Sequence, residues 1–482
     1  MTIFRIALSV AASLLTTIGI IGRADAGGLS RTRTDSISFE WARHTAGRLG
    51  FTVSNFGDFG YRPAPDPAWD YITGEVILNG AEFPIGSGRD LLYAAGISIG
   101  GIVGNDTLVS TTFGSGWNEM SPLQIEGKSF NYCRTIDPPS DCQRTMISDE
   151  DFRVAFTDTA ITYDPNWYDD LDHRPHKPLH IEVTEDSYVW SYRYAADIVF
   201  FHLGIRNIGQ RPIRNAYVGI VGKTLGNFDS SPPEDSVGWG NVVGFLRDAP
   251  NDSPCQLPDT VSVAWLANRD GNPSAGGWAA TSTRDILGIR FLESAIQPRF
   301  YSFNWWGWSY YEYWDYGPMR QDNYRDFKTG PGYTGWPGGD RNEYYVMSKG
   351  EIDFPSPFTG VMQDPDGWLL PPKALAERIA SHGFPWFEIA TGPYGINPGA
   401  TATVDFCVFA ADTFHVDPNN GRNLPHNPQG WFRNVNFSSL AKNAVWAQRI
   451  YDNPGVDTDG DGYFGEYRVC VLDSALVEGQ WI

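Results

Sequence analysis

The chain has 482 residues, of which 41% are hydrophobic and 14% aromatic, and its formal net charge is −21. This composition is too apolar for a disordered protein and too acidic for a nucleic-acid binder that neutralises phosphates. The 52 glycines and 33 prolines also argue against a helical bundle or coiled coil.

The N-terminus has the features of a secretory signal peptide over residues 1–26. Arg5 is positively charged, residues 6–22 form an uncharged apolar run, and ADA at 24–26 is a small-x-small cleavage site. The run is at the short edge of what spans a bilayer, so a membrane anchor is the less favoured interpretation. We predict a secreted protein, extracellular or on the cell surface, with the periplasm as an alternative and no membrane span after cleavage.

Export permits disulfides, and the chain has five cysteines. Cys133 and Cys142 enclose a polar loop with two prolines, which predicts a local bridge between them. Cys255, Cys407 and Cys470 lie far apart, so the sequence leaves their pairing open. Cys407 is in an apolar run and is also a candidate buried thiol.

Apolar and β-branched runs between Gly/Pro turns predict strands at 91–100, 179–194, 198–206, 213–221, 261–265, 286–291 and 401–411. We expect 179–194, 198–206 and 213–221 to be three successive antiparallel strands. Helix is sparse, with a short stretch at 374–379 and a longer one that ends at Tyr451 and begins at Ser438 or Ser439. Since strands and helices do not alternate, we predict a mainly β protein with an antiparallel β-sandwich architecture and few short helices.

The predicted organisation has three parts after these assignments. A signal peptide over 1–26 precedes a large β-sandwich region over 27–435, and a C-terminal helix with a calcium-type loop and tail occupies 436–482. The large region is either one unit or two subdomains that divide near 225–300. The Gly/Pro-rich aromatic stretch 304–357 is expected to be a long surface excursion.

The stretch 301–316 contains ten aromatic residues among sixteen. Exposed Trp and Tyr faces can bind the apolar faces of sugars, so this stretch is a candidate glycan-binding site. An aromatic ladder inside the core is the more common outcome for such side chains, and both interpretations stay open. The candidate ligand-binding aromatics are Trp305, Trp306, Trp308, Tyr311 and Trp314.

The sequence DTDGDGY at 457–463 has the spacing of a calcium loop. Carboxylates at every second position can converge on one cation, the following glycine permits a sharp turn, and the next carbonyl adds an oxygen. The last ligand of an EF-hand loop is an acid, but Arg468 stands there, so Glu466 would have to substitute. We predict a structural calcium site, with a solvated acidic turn as the alternative. The predicted ligands are Asp457, Asp459, Asp461, Tyr463 and Glu466.

Distinctive motifs are spread over most of residues 47–470. They are YAAG (93–96), KPL (177–179), SYVWS (187–191), MSKGEID (347–353), GPYGINPG (392–399), AKNAVWA (441–447) and YDNPGVDTDGDG (451–462). In these motifs the chain resembles a group of large, uncharacterised secreted bacterial proteins. Members often continue into fibronectin type III-like domains and a C-terminal sorting signal. The resemblance implies no activity or catalytic residues, and the chain departs from it by ending at Ile482 without such domains, as a truncated product or a fragment would.

Two classes of function follow. The favoured one is a non-catalytic β-protein that binds calcium and a glycan or cell-surface polymer, with no nucleic-acid partner. The alternative is a secreted glycan-active hydrolase, which should show two carboxylates about 5–10 Å apart in an aromatic cleft. Sequence spacing does not give separations in space, nor an oligomeric state. The candidate carboxylates are Glu182, Glu185, Asp186, Glu351 and Asp353.

Overall fold

Two antiparallel β-sheets, packed face to face, form the body of the protein in the computed structural model. The structure describes residues 38–61, 68–113, 119–135, 146–159, 168–169, 171–224, 240–248, 260–292, 300–309, 314–320, 337–361, 367–369, 371–451, 476–477 and 480–481. The predicted fold class, a mainly β antiparallel sandwich with few helices, is confirmed.

The described strands are numbered in chain order. They are β1 (Trp41–His44), β2 (Gly50–Ser54), β3 (Asp58–Phe59), β4 (Ala68–Trp69), β5 (Val76–Ile77), β6 (Ala81–Glu82), β7 (Ala94–Val103), β8 (Asp106–Thr111), β9 (Ser121–Leu123), β10 (Asn131–Arg134), β11 (Glu150–Thr157), β12 (Ile181–Val189), β13 (Ile198–Asn207), β14 (Ile213–Lys223), β15 (Asn241–Asp248), β16 (Thr260–Asn268), β17 (Ile286–Leu292), β18 (Ser302–Ser309), β19 (Trp314–Tyr316), β20 (Met319–Arg320), β21 (Trp368–Leu369), β22 (Pro385–Ile396), β23 (Thr401–Ala411), β24 (Leu476–Val477) and β25 (Gln480–Trp481). The α-helices of the described residues are α1 (Asp340–Ser348), α2 (Lys373–His382), α3 (Pro428–Arg433) and α4 (Ser438–Tyr451). Two short 3-10 helices are Ser356–Gly360 and Asn420–Asn423.

The larger sheet has the order β1-β2-β3-β7-β14-β22-β18-β19, with β6 beside β2 and β8 beside β7. The smaller sheet has the order β10-β11-β12-β13-β23-β17-β16-β15, with β9 beside β11. The remaining described strands form three separate pairs, β4–β5, β20–β21 and β24–β25. Both sheets thus combine strands from the first and last parts of the chain.

The core lies between the two sheets because alternate side chains of each strand face inward. Phe59 of the larger sheet meets Phe201 and Phe406 of the smaller one, with ring centroids 5.2 and 5.6 Å away. Phe201 and Phe406 stack on each other at 4.6 Å. All three rings are at most 1% exposed, and each contributes about 1.5–3 kcal/mol by burial.

Helices cover part of each outer face. The apolar face predicted for the last helix is buried on α4, at Leu440, Ala444, Ala447 and Tyr451, against β16, β17 and β23 of the smaller sheet. On the larger sheet, Met347 of α1 packs in one cluster with outward side chains of β8, β14 and β22. No helix in the described part of the chain is long and apolar enough to cross a bilayer.

Two expectations about local organisation are corrected. The segments 198–206 and 213–221 are not neighbours, because β12 and β23 occupy both edges of β13 and β14 pairs with β7 and β22 in the larger sheet. The stretch 304–357 is not only a surface excursion: it contains most of β18, together with β19, β20 and α1. In this stretch, aromatic side chains and Met347 pack against the sheet. The free energy of burying them outweighs the low propensity of a Gly/Pro-rich segment for regular structure.

Candidate functional site

The predicted calcium ligands Asp457, Asp459, Asp461, Tyr463 and Glu466 lie outside the described residues, so this site stays a prediction. Within the part of the chain that the structure describes, no group of three or more His, Cys, Asp or Glu side chains could hold a metal ion. The same limit applies to the predicted bridge, because Cys142 is not described. Cys407 is a free, buried thiol, and burial raises its pKa to about 12.

The predicted ligand-binding aromatics lie on β18 and β19 or between them. Trp305 is 1% exposed and belongs to the core, where its Nε1 donates to Phe354 O at 2.6 Å. Trp306 is 4% exposed and points to the opposite side of the sheet, next to Trp386. Neither ring presents a face to solvent. The side chains of Trp308, Tyr311 and Trp314 are outside the described residues.

Three of the candidate carboxylates are on β12, on two different sides of the sheet. Glu185 faces the core, and neither of its oxygens has a hydrogen-bond partner among the described residues. Burial raises the pKa of Glu185, and the nearby Asp186 and Asp58 add to this effect. Glu182 and Asp186 point outward, so the strand itself separates them from Glu185.

A row of three polar side chains, Asp353, Asn304 and Glu388, lies on the outer face of the larger sheet, and we call it the buried acid row. Asn304 is directly opposite Glu388, and a parallel bridge between Phe303 and Ile352 places Asp353 beside Asn304. The three residues are only 2–4% exposed. Helix α1 closes one side, since Asn304 Nδ2 donates to Val346 O at 3.1 Å.

Burial controls the protonation of this row. It raises the pKa of Glu388 to about 8, although the Lys349 ammonium lowers it. Burial also raises the pKa of Asp353 to about 7, where Lys349 lowers it and Glu351 raises it. Lys349 Nζ is 3.1 Å from Glu351 Oε1 and 3.8 Å from Asp353 Oδ1. At neutral pH, Glu388 is therefore mainly an uncharged carboxylic acid.

An aromatic cage beside the row holds Lys223. Its Nζ is 4.5 Å from the ring centroid of Tyr93 and 5.0 Å from that of Trp386, and Phe113 stacks on Trp386 at 5.2 Å. Burial lowers the pKa of Lys223 to about 7. Acid and amine on this face are thus both pushed towards their uncharged forms by desolvation.

The outer face of the smaller sheet is accessible where α4 does not cover it. Helix α4 packs on β16, β17 and β23, and the outward Ile198 and Phe200 of β13 are buried in the same cluster. Arg153, His202 and Arg206, farther from the helix on β11 and β13, are half-buried or exposed. Alternation puts the polar residues outward, because Val154, Val183 and Leu203 on the same strands face the core. We call this surface the open face. Its charged residues are Arg153, Glu182, Asp186, His202, Arg206 and Asp405, together with the buried Asp151 two positions before Arg153 on β11.

Two hydrogen-bonded pairs, Arg153–Asp186 and His202–Asp405, lie side by side across the open face. Arg153, Asp186, His202 and Asp405 are successive partners on β11, β12, β13 and β23. Arg153 donates to Asp186 through Nε and Nη2, both at 2.7 Å. His202 Nδ1 lies 2.7 Å from Asp405 Oδ1, and Tyr451 Oη donates to Asp405 Oδ2 at 3.0 Å. Each carboxylate is thus held through both oxygens.

The charge of His202 follows from these neighbours. Burial by itself lowers the pKa of His202, but the hydrogen bond and charge of Asp405 raise it, and Asp186 adds to this effect. Arg153 lowers it, and the net result is a raised pKa. The ring is protonated over a wider pH range than an unperturbed histidine.

At the turn between β12 and β13, three rings form what we call the aromatic ladder: Tyr192, Tyr194 and, on α4, Trp446. The two tyrosine rings are parallel within 3° with centroids 5.8 Å apart, and Trp446 on α4 follows at 5.3 Å from Tyr194. Tyr192 is 43% and Tyr194 40% exposed. The turn that bears them is fixed because Ser191 N and Oγ donate to Asp149 Oδ2 at 2.8 and 2.7 Å.

Neither the open face nor the ladder was predicted from the sequence. The strand predicted over 179–194 includes Tyr192 and Tyr194, whereas β12 ends at Val189 and the tyrosines follow it in a turn. The alternation from Glu182 to Tyr188 was a usable signal for a polar outer face. The contact between His202 and Asp405 joins residues 203 positions apart and has no local signal.

Comparisons with known proteins leave the family open. No protein-family model and no curated protein matches the sequence. Among solved structures, a proposed aldose 1-epimerase from Escherichia coli K12 is 9% identical with a TM-score of 0.27, covering 78% of this chain and 100% of that chain. A protein from Synechocystis sp. PCC 6803 is 8% identical with a TM-score of 0.26, covering 81% of this chain and 100% of that chain. A GalM/aldose epimerase homologue from C. elegans is 9% identical with a TM-score of 0.26, covering 78% of this chain and 99% of that chain. Likeness at this level assigns no activity.

Proposed function

We propose that this chain is a secreted or cell-surface, non-catalytic β-protein that binds a glycan at the aromatic ladder and the open face. The observation that carries the proposal is the pair of parallel, exposed tyrosine rings in the turn that joins β12 and β13, the two strands that contribute most of the polar side chains of the open face. Flat aromatic faces bind the apolar side of a sugar ring, and neighbouring polar groups fix its orientation. Exposed aromatic patches of this kind typically mark interaction sites.

Pairing of the carboxylates on the open face supports binding rather than catalysis. Both oxygens of Asp186 accept from Arg153, and those of Asp405 are bound by His202 and Tyr451. A glycosidase needs one carboxylic acid and one carboxylate that are available to the scissile bond. Such a pair is not available among the described carboxylates of this face.

Affinity electrophoresis of the purified chain in gels that contain soluble glycans tests the proposal. Tyr192→Ala and Tyr194→Ala should each weaken binding by about 0.5–1.5 kcal/mol, or about 2- to 12-fold. Trp69→Ala is the matched control, because Trp69 is 60% exposed but lies on β4, away from the ladder in sequence and sheet. Unchanged mobility of the wild type across neutral and acidic glycans would refute the proposal.

The calcium loop belongs to the same proposal. Residues 457–466 follow α4 in sequence, and α4 carries Trp446 of the ladder. A cation bound there would neutralise carboxylates that otherwise repel one another. We propose that it stabilises the C-terminal segment next to the helix.

A second candidate function, glycan hydrolysis, is favoured by one observation. Asp353 and Glu388 lie two strands apart on the same face, about 10 Å between backbones, and burial raises the pKa of both. A carboxyl with a raised pKa can serve as a general acid, but Asp353 and Glu388 are at most 3% exposed, so hydrolysis would require a movement that opens this face to the substrate. Release of reducing ends from the glycans that bind, abolished in Glu388→Gln and retained in Glu351→Gln, would establish this function.

A further inference from the structure

We infer that the ligand of the open face is an acidic glycan, whose anionic groups bind Arg153, His202 and Arg206. This inference rests on the proposed glycan binding and adds the chemical class of the ligand. The evidence for an acidic ligand is a set of three cation–acid pairs on neighbouring strands of one accessible surface.

The three pairs share one layering, with the cation outside and the acid beneath. The side chain of Arg153 is 42% exposed and that of Asp186 only 2%. Arg206 is 55% exposed and Glu182 15%, and His202 is 32% exposed and Asp405 13%. A ligand that approaches the sheet therefore meets guanidinium and imidazole groups first.

Hydrogen-bonding capacity points in the same direction. Asp186 and Asp405 each use both oxygens on protein donors, so they offer little to a ligand. Arg153 uses two of its nitrogens and keeps outward N–H groups, while His202 binds Asp405 through Nδ1 and leaves Nε2 for a ligand. A surface rich in donors suits carboxylate or sulfate oxygens better than neutral hydroxyl groups.

The spacing favours a polymer over a small anion. Arg153 and His202 are two strands apart, about 10 Å, and Arg206 lies four residues along β13 from His202, about 13 Å. One carboxylate cannot bridge such distances, but successive charges along an extended chain can.

Binding should depend on pH through His202, which donates from Nε2 only when the ring is protonated. The charged and titratable groups that face it are Asp405 on β23, Asp186 on β12 and Arg153 on β11, with Tyr451 of α4 bound to the same Asp405. The two acids outweigh the single guanidinium, which favours the imidazolium form.

The test compares polygalacturonate with its methyl ester, which is the same polymer without the charges. If three exposed ion pairs contribute about 0.5 kcal/mol each, the acid should bind about 10-fold tighter at pH 6. Arg206→Gln should remove about 2- to 5-fold of this preference, and His202→Asn should flatten its pH dependence. Arg214→Gln, an exposed arginine of the larger sheet, is the matched control. Dextran sulfate against dextran shows whether sulfate serves as well as carboxylate, and a thermal melt checks that each variant folds.

The outcomes of this experiment separate the acidic-ligand inference from the proposed glycan binding. Equal affinity for acid and ester would overturn the inference and leave glycan binding intact. No binding to either polymer, nor to the neutral or sulfated dextrans, would overturn the proposed function as well. Binding of double-stranded DNA as tight as that of polygalacturonate would also overturn the inference, because the face would then recognise charge without the sugar.

Discussion

The outer faces of the two sheets stabilise their carboxyl groups in different ways. Each face carries carboxyl groups, but α1 and the segment around Lys349 cover the larger sheet, whereas α4 leaves part of the smaller one open. On the covered face, burial pushes the pKa of Glu388 up to about 8. On the open face, Asp186 and Asp405 are held by direct cationic and hydroxyl partners. Asp186 and Glu388 are both almost fully buried, so what distinguishes them is the partner: Asp186 has a bidentate arginine, whereas burial is the largest influence on Glu388.

The largest expected effect concerns Glu388→Gln at alkaline pH. The pKa of Glu388 is about 8 when folded, against an ordinary value of 4.5, so the folded chain holds this proton more tightly. Its contribution to stability is complete below about pH 4.5 and is lost as the pH rises through about 8. In urea unfolding, Glu388→Gln should therefore be about 3–5 kcal/mol more stable than the wild type at pH 9, and within about 1 kcal/mol at pH 5.

Glu182→Gln on the open face is the matched control, since Glu182 faces Arg206 across a 3.6 Å ion pair. We expect it to change stability by about 0.5 kcal/mol or less at pH 9. Equal destabilisation by Glu388→Gln at both pH values would contradict the contrast between the faces.

The second-largest expected effect on stability is that of calcium removal, which tests the segment that follows α4 in sequence. If the predicted loop binds calcium, a concentration 100-fold above Kd raises the free energy of unfolding by about 2.7 kcal/mol. A thermal melt with calcium and then with a chelator measures this. Asp459→Asn should weaken the effect and Asp461→Ala should abolish it, while the exposed Asp248→Asn should leave it unchanged. An identical melting temperature in all conditions would show that the loop is a solvated acidic turn and not a calcium site.

The Arg153–Asp186 pair tests how much a bidentate partner contributes to stability on the open face. Arg153→Met leaves a carboxylate that is 2% exposed without its two hydrogen bonds. Because Arg153 is itself 42% exposed, we expect a loss of about 1–3 kcal/mol rather than the full cost of a buried charge. Adding Asp186→Asn should restore most of it, and strictly additive effects in the double-mutant cycle would argue against coupling.

The smallest expected effect is the pH dependence due to His202. Its pKa is raised in the folded state, so the imidazolium contributes stability that is fully present below the unfolded pKa of about 6.5 and is lost as the pH rises through the folded value. His202→Asn should therefore lower stability by about 1 kcal/mol or less at acidic pH, and by less at alkaline pH. Chemical unfolding at pH 5.5 and pH 8.5 measures the difference, and a larger loss at pH 8.5 would reverse the sign we assign.

Several elements could be predicted because their signals are local. The segment 401–411 is β23 to the residue, bounded by a turn in which Gly399 has φ +79°. Helix α4 follows from the spacing of Leu440, Ala444, Ala447 and Tyr451. Helix α1 could not be predicted, since its stability depends on Met347 packing against strands more than a hundred residues earlier in the chain.

By itself the sequence determined the fold class, the positions of seven strands (β7, β12, β13, β14, β16, β17 and β23) and the buried helix face, because period-two and period-3.6 patterns are properties of short segments. Only the tertiary structure decided which sheet β14 joins, which acids meet partners and which aromatic rings stay exposed. Trp305, in the most aromatic run, is buried, whereas Tyr192 and Tyr194 in an inconspicuous turn are open. Exposure and pKa are set by whatever packs on top of a residue, and at His202 and Asp405 that neighbour is 203 positions away.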